Sequence, residues 1–290
     1  MKLRALLGDY PVTAALKKGA VKSSSLELDF ADVKTASSAF KRVVREHEFD
    51  FAELAIVTFI IALAHGTPYV LLPSVIVSRF QHPFLVYNAG RGALAPGDLA
   101  GKRVGIRSYS VTTVTWLRGI LADDYGVDLS KVKWLTFEDP HVQEFRDPPN
   151  IERASAGKDP ATMLLAGEID AAILGDKMPD DARIKTLIPD PKAAAEAWYA
   201  RHGVLQLNHL TVVKRSLAEQ HPEAVREIYR LLSESKQAMG APAGLDLNPF
   251  GFERNRKALE VVIDQVYRQG LIPRRFAVEE LFDKTTRELN

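Results

Sequence analysis

Segments with the pattern of β-strands alternate with segments typical of α-helices, and this order constrains the fold more than any other feature. A strand is predicted over residues 49–55, followed by a helix that ends at Ala64. The order returns with a strand over residues 103–107, a helix over 113–125 and a strand over 132–137. Strands that alternate with helices are typical of sheets covered by helices. The sequence therefore predicts an α/β fold.

Two breaks in this order predict two lobes. A turn-rich segment over residues 96–102 precedes a new series of strands and helices, and the pattern changes again from Val204. A chain of 290 residues is long enough for two modest domains. We predict that lobe one comprises residues 1–86 and 204–290 and that lobe two comprises residues 87–203, with a ligand cleft where the chain crosses between them.

The charge balance and the lack of cysteine exclude several partners and chemistries. Lys plus Arg total 38 against 37 Asp plus Glu, so no overall field attracts the chain to nucleic acid or to a membrane. We expect neither partner. The absence of cysteine excludes disulfides, thiolate nucleophiles and thiolate metal ligands. A metal site would therefore need histidines and carboxylates.

The apolar segments are too short to cross a membrane. The N-terminal residues predict a first strand rather than a signal peptide. The longest apolar stretch, residues 54–64, falls short of the roughly 20 residues that a membrane-spanning helix needs. We therefore expect a cytoplasmic protein.

A hydroxyl-rich turn between a strand and a helix is the most informative segment for binding. The strand ends at Arg107, and Tyr109, Ser110, Thr112 and Thr113 follow before the predicted helix. Unpaired N–H groups at a helix N-terminus favour an anion, and an arginine can hold a carboxylate through two hydrogen bonds. We predict that these residues bind substrate. The alternative is that Thr112 or Thr113 only caps the helix.

Two charged residues occur at the ends of apolar strands. A buried carboxylate at Glu53 is costly unless it is paired, so Glu53 is either a proton-transfer group or the partner of a buried arginine. Arg79 follows a very apolar strand and is predicted to bind substrate. The alternative for Arg79 is an ordinary surface position.

Four histidines, His65, His82, His141 and His209, lie at predicted ends of strands or helices. Of these, His209 enters a buried strand and suits acid–base chemistry near neutral pH, although a hydrogen-bonded structural role is the alternative. His141 is predicted to bind substrate. The histidines do not show the HExxH spacing of a helical zinc site. A divalent ion held by loop histidines is left open.

Several motifs resemble those of the 4,5-dihydroxyphthalate decarboxylases. They are residues 49–54 (FDFAEL), 98–107 (DLAGKRVGIR), 118–121 (RGIL), 124–127 (DYGV), 165–171 (LAGEIDA), 208–209 (NH) and 248–253 (NPFGFE). The resemblance extends from Gly8 to Arg274, and residues 103–118 are its most specific part. It implies a two-lobed fold like the type II periplasmic binding proteins, with mixed sheets flanked by helices.

The resemblance also implies an activity, namely a carboxy-lyase that removes carbon dioxide from a dihydroxylated aromatic diacid without oxidation. The expected partner is then a small aromatic carboxylate. We expect Arg79, Arg107 and the helix start over residues 110–113 to hold a carboxylate. His209 would give a proton to the ring carbon, with Glu53 as its orienter or as the alternative acid. Because a ring hydroxyl supplies electrons, we expect no organic cofactor.

Two other functions are alternatives. One is a solute-binding protein of the type used by ABC transporters, which would bind a small anion without catalysis. The other is a different cytoplasmic enzyme on this fold, such as the dihydroxynaphthoate synthases of the menaquinone pathway. A homo-oligomer is left open.

Overall fold

The computed structural model describes residues 1–175 and 178–290. The strands, β1 to β11 in chain order, are Lys2–Leu6, Glu27–Phe30, Phe51–Ala55, Tyr69–Ser78, Leu85–Asn88, Arg103–Ile106, Lys133–Thr136, Glu152–Arg153, Ala171–Ile173, Ile184–Thr186 and Leu207–Lys214. The α-helices, α1 to α9, are Ala14–Lys17, Ile56–Ala64, Thr112–Tyr125, Pro160–Ala166, Pro191–His202, Arg215–Gln220, Pro222–Ala238, Phe252–Arg268 and Lys284–Arg287. The predicted alternation of strands and helices is present.

The chain divides into two compact units. Unit 1 comprises Met1–Arg79 and Leu207–Asn290, and unit 2 comprises Phe80–Gln206. These bounds differ from the predicted lobe bounds of 86 and 204. Residues 80–86 lie in unit 2 because β5 pairs there with β9 and β10. Residues 204–206 also lie in unit 2, where the side-chain oxygen of Gln206 accepts a hydrogen bond from the backbone of Gln81.

Unit 1 is built on a mixed sheet with the order β2-β1-β3-β11-β4. Strands β1, β2 and β3 are parallel, whereas β11 runs antiparallel to both β3 and β4. Strand β3 is buried throughout, because its apolar residues lie in the interior of the sheet. Helix α7 buries its apolar side chains in the same core, which includes Leu3, Val70 and Ile228.

Unit 2 is built on a second mixed sheet with the order β10-β5-β9-β6-β7-β8. Strands β9, β6, β7 and β8 are parallel, and β5 runs antiparallel to β9 and β10. Helix α3 follows β6 and buries Val114, Trp116, Leu117, Ile120 and Leu121. This strand, turn and helix place the predicted anion-binding turn at the carboxyl end of β6.

Residues 36–48 form two short helical turns instead of one continuous helix. They contain a 3₁₀ turn over Ala36–Ala39 and a π-helical turn over Arg42–Glu46. The π-helical turn ends at His47, which adopts φ 49°. A left-handed residue cannot continue a right-handed helix, so the segment stops there.

Candidate functional site

Glu53 is a fully buried carboxylate in the middle of the unit 1 sheet. Burying an ionised carboxyl group is costly unless hydrogen bonds replace its water. Glu53 has three such partners: its Oε2 accepts the backbone N–H of Gly8 at 2.8 Å, and its Oε1 accepts the Tyr10 hydroxyl at 2.8 Å and lies 2.7 Å from His209 Nδ1. The sequence leaves open whether Glu53 transfers protons or pairs with a buried arginine. In the structure its side-chain partners are Tyr10 and His209.

Sheet register explains why these groups meet. In the parallel pair β1 and β3, Leu6 lies opposite Ala52, so the turn after β1 reaches Glu53. In the antiparallel pair β3 and β11, Thr211 lies opposite Glu53, and His209 is two residues away along the strand. Residues that are diagonal across two strands share a face and come within reach of long side chains. The structure therefore brings together the two residues predicted to be catalytic.

The lack of a side chain at Gly8 leaves room for the Tyr10 ring. A Cβ atom added at Gly8 would lie 2.4 Å from Cε2 of the Tyr10 ring, which is closer than real Cβ contacts. The turn that carries both residues is held by Thr13, whose hydroxyl donates to the Gly8 carbonyl at 2.7 Å. The loop between β1 and α1 thus positions two of the three hydrogen bonds to Glu53.

His209 is held on more than one side but is not fully enclosed. Its side chain is 16% exposed, whereas that of Glu53 is 0% exposed. The ring of Phe40 packs edge-on against the imidazole, with 5.1 Å between ring centroids. A carboxylate only accepts hydrogen bonds, so Nδ1 carries a proton when it donates to Glu53. The Nε2 atom is then the nitrogen that can exchange a proton with another group.

Arg107 in unit 2 contacts two other residues that follow β7. Its Nε lies 3.1 Å from Oε2 of Glu138, and its Nη2 lies 2.9 Å from Nε2 of His141. The structure thus brings together Arg107 and His141, both predicted to bind substrate. It also shows that Arg107 is already paired with a carboxylate of its own chain.

The hydroxyl-rich turn leads into helix α3, as predicted. Ser110, Thr112 and Thr113 are buried, and the helix begins at Thr112. Its N-cap is Val111, which provides no side-chain hydrogen bond to the first turn. Capping of the helix by Thr112 or Thr113, the alternative from the sequence, is not present.

Arg118 is an unexpected feature of this turn and helix. It is fully buried in α3, and its three guanidinium nitrogens have no hydrogen-bond partner within the described ranges 1–175 and 178–290. The Arg118 guanidinium carbon lies 3.6 Å from the centroid of the Tyr109 ring. Burial lowers the pKa of Arg118 to about 10, with Tyr109 and Asp147 acting in the opposite direction. Arg118 is therefore still charged at neutral pH.

The predicted site residues fall into two groups. Unit 1 contains Glu53 and His209, together with Arg79, which is half-buried directly after β4. Unit 2 contains Arg107, Tyr109, Ser110, Thr112, Thr113 and His141. The role of each residue stays a prediction.

Comparison with known proteins supports the resemblance that the motifs indicate. No family model matches the chain. The 4,5-dihydroxyphthalate decarboxylase of Comamonas testosteroni is 27% identical over an alignment of 325 positions, which covers 99% of this chain and 98% of the relative. The 4,5-dihydroxyphthalate decarboxylase of Pseudomonas putida is 28% identical over 212 residues, which cover 69% of this chain and 81% of the relative. The predicted resemblance is confirmed.

The predicted fold class is also confirmed. The alkanesulfonate-binding protein SsuA from Xanthomonas axonopodis pv. citri superposes with a TM-score of 0.58 at 15% identity, covering 97% of this chain and 98% of that one. The periplasmic aliphatic sulphonate binding protein SsuA from Escherichia coli superposes with a TM-score of 0.60 at 12% identity, covering 98% and 92% of the two chains. At these identities the likeness shows the fold alone.

The structure also bears on metal binding and on membrane spans. Among residues 1–175 and 178–290, no group of three or more His, Cys, Asp and Glu side chains is arranged to hold a metal ion. The lack of a cofactor stays a prediction. Within the same ranges, no helix combines the length and the apolar character needed to cross a bilayer.

Three residues that lie beside the predicted site residues are not identified from the sequence: Tyr10, Ser108 and Arg118. For Arg118 a signal exists, because it lies between Leu117 and Ile120 in an otherwise apolar helical stretch. For Tyr10 the signal is its turn, which follows β1 beside the strand of Glu53. Ser108 carries no signal of its own, since serine is common in turns.

Proposed function

We propose that this protein is a carboxy-lyase that converts 4,5-dihydroxyphthalate, or a close analogue, to protocatechuate and carbon dioxide. The observation that carries the proposal is the similarity to two proteins named 4,5-dihydroxyphthalate decarboxylase, one of them along 99% of this chain. The hydrogen-bonded pair of Glu53 and His209 supports it, because the reaction needs a proton donor.

The reaction is balanced without an oxidant. The bond between the ring and one carboxylate breaks, its electron pair stays on the ring carbon, and that carbon takes a proton as carbon dioxide leaves. A hydroxyl group para to the leaving carboxylate supplies electron density while the ring carbon is protonated. No organic cofactor is required for this step.

His209 is the proton donor in this proposal. Its Nδ1 atom donates to the buried Glu53 carboxylate, which orients the ring, and in the form that acts as the acid Nε2 also carries a proton. The proton on Nε2 is then available to the ring carbon. Glu53 acts as a positioning residue, and the hydrogen bonds from Gly8 and Tyr10 fix its orientation. Glu53 is the alternative acid.

A cationic group must hold the substrate carboxylates. We assign this task to Arg79, Arg107 and the first turn of α3, with His141 beside Arg107. Because Arg107 is paired with Glu138, an incoming carboxylate has to compete with that side chain. The proposed partner is a small aromatic carboxylate. A homo-oligomer and a cytoplasmic location stay predictions.

The direct test supplies purified protein with 4,5-dihydroxyphthalate and measures carbon dioxide and protocatechuate. We expect both products in equal amounts, and we expect His209→Ala to lower kcat by roughly 10²- to 10⁴-fold, as loss of a general acid typically does. Glu53→Gln should also lower kcat, because an amide holds the orientation of the His209 ring less firmly than a carboxylate, which only accepts hydrogen bonds.

The matched control is His65→Ala, which changes an exposed histidine in the same unit. It should retain wild-type activity. Binding of the diacid without release of carbon dioxide would contradict the enzyme proposal and would favour a solute-binding protein instead.

A further inference from the structure

The guanidinium of Arg118 is a buried cation whose hydrogen-bonding capacity is unused. It carries five N–H donors, and its three nitrogens have no partner in the part of the chain that the structure describes. Its exposed fraction is 0%. A buried charge without hydrogen bonds destabilises the folded state, so residues of this kind are normally paired. The missing partner is the feature to be explained.

The surroundings of Arg118 suit an anion. Long side chains on a helix lean toward its N-terminus, and the contact of Arg118 with Tyr109 places the guanidinium beside the turn that precedes α3. Ser108 in that turn is 2% exposed, and its hydroxyl oxygen has no hydrogen-bond partner within the described ranges. The first turn of α3 adds N–H groups without a side-chain cap. The unpartnered guanidinium of Arg118 and the unpartnered hydroxyl of Ser108 thus occur in the same short segment as the start of α3.

The geometry of the stacking favours a planar acceptor. The guanidinium carbon of Arg118 lies over the Tyr109 ring, 3.6 Å from its centroid, and the N–H donors of a guanidinium point outward in its own plane. A carboxylate is planar and accepts two parallel hydrogen bonds from such an edge. The stacked ring therefore leaves the donors available to a carboxylate.

Asp147 is the carboxylate of this chain that competes for the role. Its charge acts on Arg118, yet its Oδ1 atom is buried without a hydrogen-bond partner among the described residues. Burial raises the pKa of Asp147. Asp147 thus does not use the hydrogen-bonding capacity of Arg118.

We propose that Arg118, Ser108 and the first turn of α3 form a carboxylate-binding site that takes one carboxylate of the aromatic diacid. This inference rests on the proposed function for the class of ligand. Because Arg118 has no exposed surface, a neighbouring side chain has to move before a ligand reaches it. Tyr109 is partly exposed and contacts Arg118, so it is the side chain assigned to this movement.

The test measures binding of phthalate by isothermal titration calorimetry. Phthalate has two carboxylates and no ring hydroxyl, so it reports binding without turnover. We expect Arg118→Met, which keeps the length of the side chain but removes its charge, to weaken binding at least tenfold. Arg118→Lys should give an intermediate loss, since it keeps the charge but not the planar donors.

The matched control is Arg183→Met in the same unit, where an exposed arginine pairs with Asp181. It should bind phthalate like the wild type. Ser108→Ala removes a hydroxyl without breaking a hydrogen bond, and it should weaken binding several-fold even if Arg118→Met fails to fold. Asp147→Asn should leave binding unchanged or tighten it, because it removes a competing charge.

The outcomes separate this inference from the proposed function. Equal phthalate affinity in Arg118→Met and wild type, or no binding by the wild type, overturns the inference. If Arg118→Met releases carbon dioxide with an unchanged KM, the inference is also overturned, but the proposed function is not contradicted. Binding that depends on Arg118, without any release of carbon dioxide from 4,5-dihydroxyphthalate, supports the inference and contradicts the decarboxylase.

Discussion

His82 is a second buried ionisable side chain that has no hydrogen-bond partner in the described part of the chain. Burial lowers its pKa to about 4, with the Asp124 charge opposing this shift and the Arg201 charge adding to it. The proposed reaction does not use this residue. Its neutral imidazole packs near Phe80, with 6.5 Å between ring centroids. The consequence of its burial is a dependence of stability on pH.

We expect the free energy of unfolding to fall as the pH decreases from about 6.5 to about 4. The unfolded chain binds a proton at His82 near pH 6.5, whereas the folded chain does so only near pH 4, so acid favours the unfolded state. Between pH 7.0 and 4.5 the free energy of unfolding should fall by about 2 kcal/mol. Urea denaturation at pH 7.0, 5.5 and 4.5 measures it.

The comparison uses two variants with the same chemical change. His82→Leu removes the buried titrating group, so its stability should depend less on pH in this range. His65→Leu changes an exposed histidine and should keep the wild-type pH dependence. If His82→Leu loses stability in acid as steeply as the wild type, His82 is not the group responsible.

At the scale of the secondary-structure elements, the turn after β1 is the support of the Glu53 and His209 pair. Its Gly8 and Tyr10 supply two hydrogen bonds to Glu53, and neither residue lies in the strands that carry the pair. Any change that displaces this turn should therefore act on the pair through Glu53.

We expect Gly8→Ala to lower the free energy of unfolding by about 1–3 kcal/mol, a typical cost of overpacking. The added methyl group would lie 2.4 Å from the Tyr10 ring, so the ring must move and its hydrogen bond to Glu53 is disturbed. Urea denaturation and kcat report the two effects. Gly244→Ala is the control, because no heavy atom lies within 4 Å of its added Cβ. Equal stability of the two variants would show that the Tyr10 ring does not depend on the absence of a side chain at Gly8.

How far the sequence predicts each element depends on how deeply that element is buried. Strands β3, β4 and β11 are predictable because they are apolar along most of their length. Strand β2, at the edge of the sheet, has no fully buried residue and therefore lacks a hydrophobic pattern. Its position comes from pairing with β1, which depends on residues distant in sequence.

The site likewise has parts that the local sequence predicts and parts that depend on residues distant in sequence. Glu53 and His209 are predictable because a charged or titratable residue is conspicuous in an apolar strand. Their contact across 156 positions depends on sheet register and is visible only in the structure. The apolar neighbours of Arg118 in sequence mark its position, but a long arginine side chain ordinarily extends its charged end to solvent. Only its complete burial reveals the difference.

At the scale of the whole molecule, the two units differ in how the chain forms them. Unit 2 is one continuous segment with its own core, which includes Val86, Leu135 and Leu164. Its first and last residues lie close together, because the backbone of Gln81 donates to Gln206 at 2.6 Å. Unit 1 is discontinuous, and its strand β11 lies between β3 and β4.

We expect an isolated fragment of residues 80–206 to fold by itself and to unfold cooperatively in urea, as a compact continuous domain does. A fragment of residues 1–79 should not, because β3 and β4 lack the strand that joins them. Circular dichroism during urea titration measures both. A cooperative transition in the 1–79 fragment would show that β11 is dispensable.

The late position of β11 has a consequence during synthesis on the ribosome. The intervening stretch of about 130 residues takes roughly 6 to 26 s to make at typical elongation rates. Throughout that time β3 and β4 have been synthesised while Leu207–Lys214 does not yet exist. Their open backbone edges can pair with other nascent strands, so this interval is when the protein depends most on chaperones.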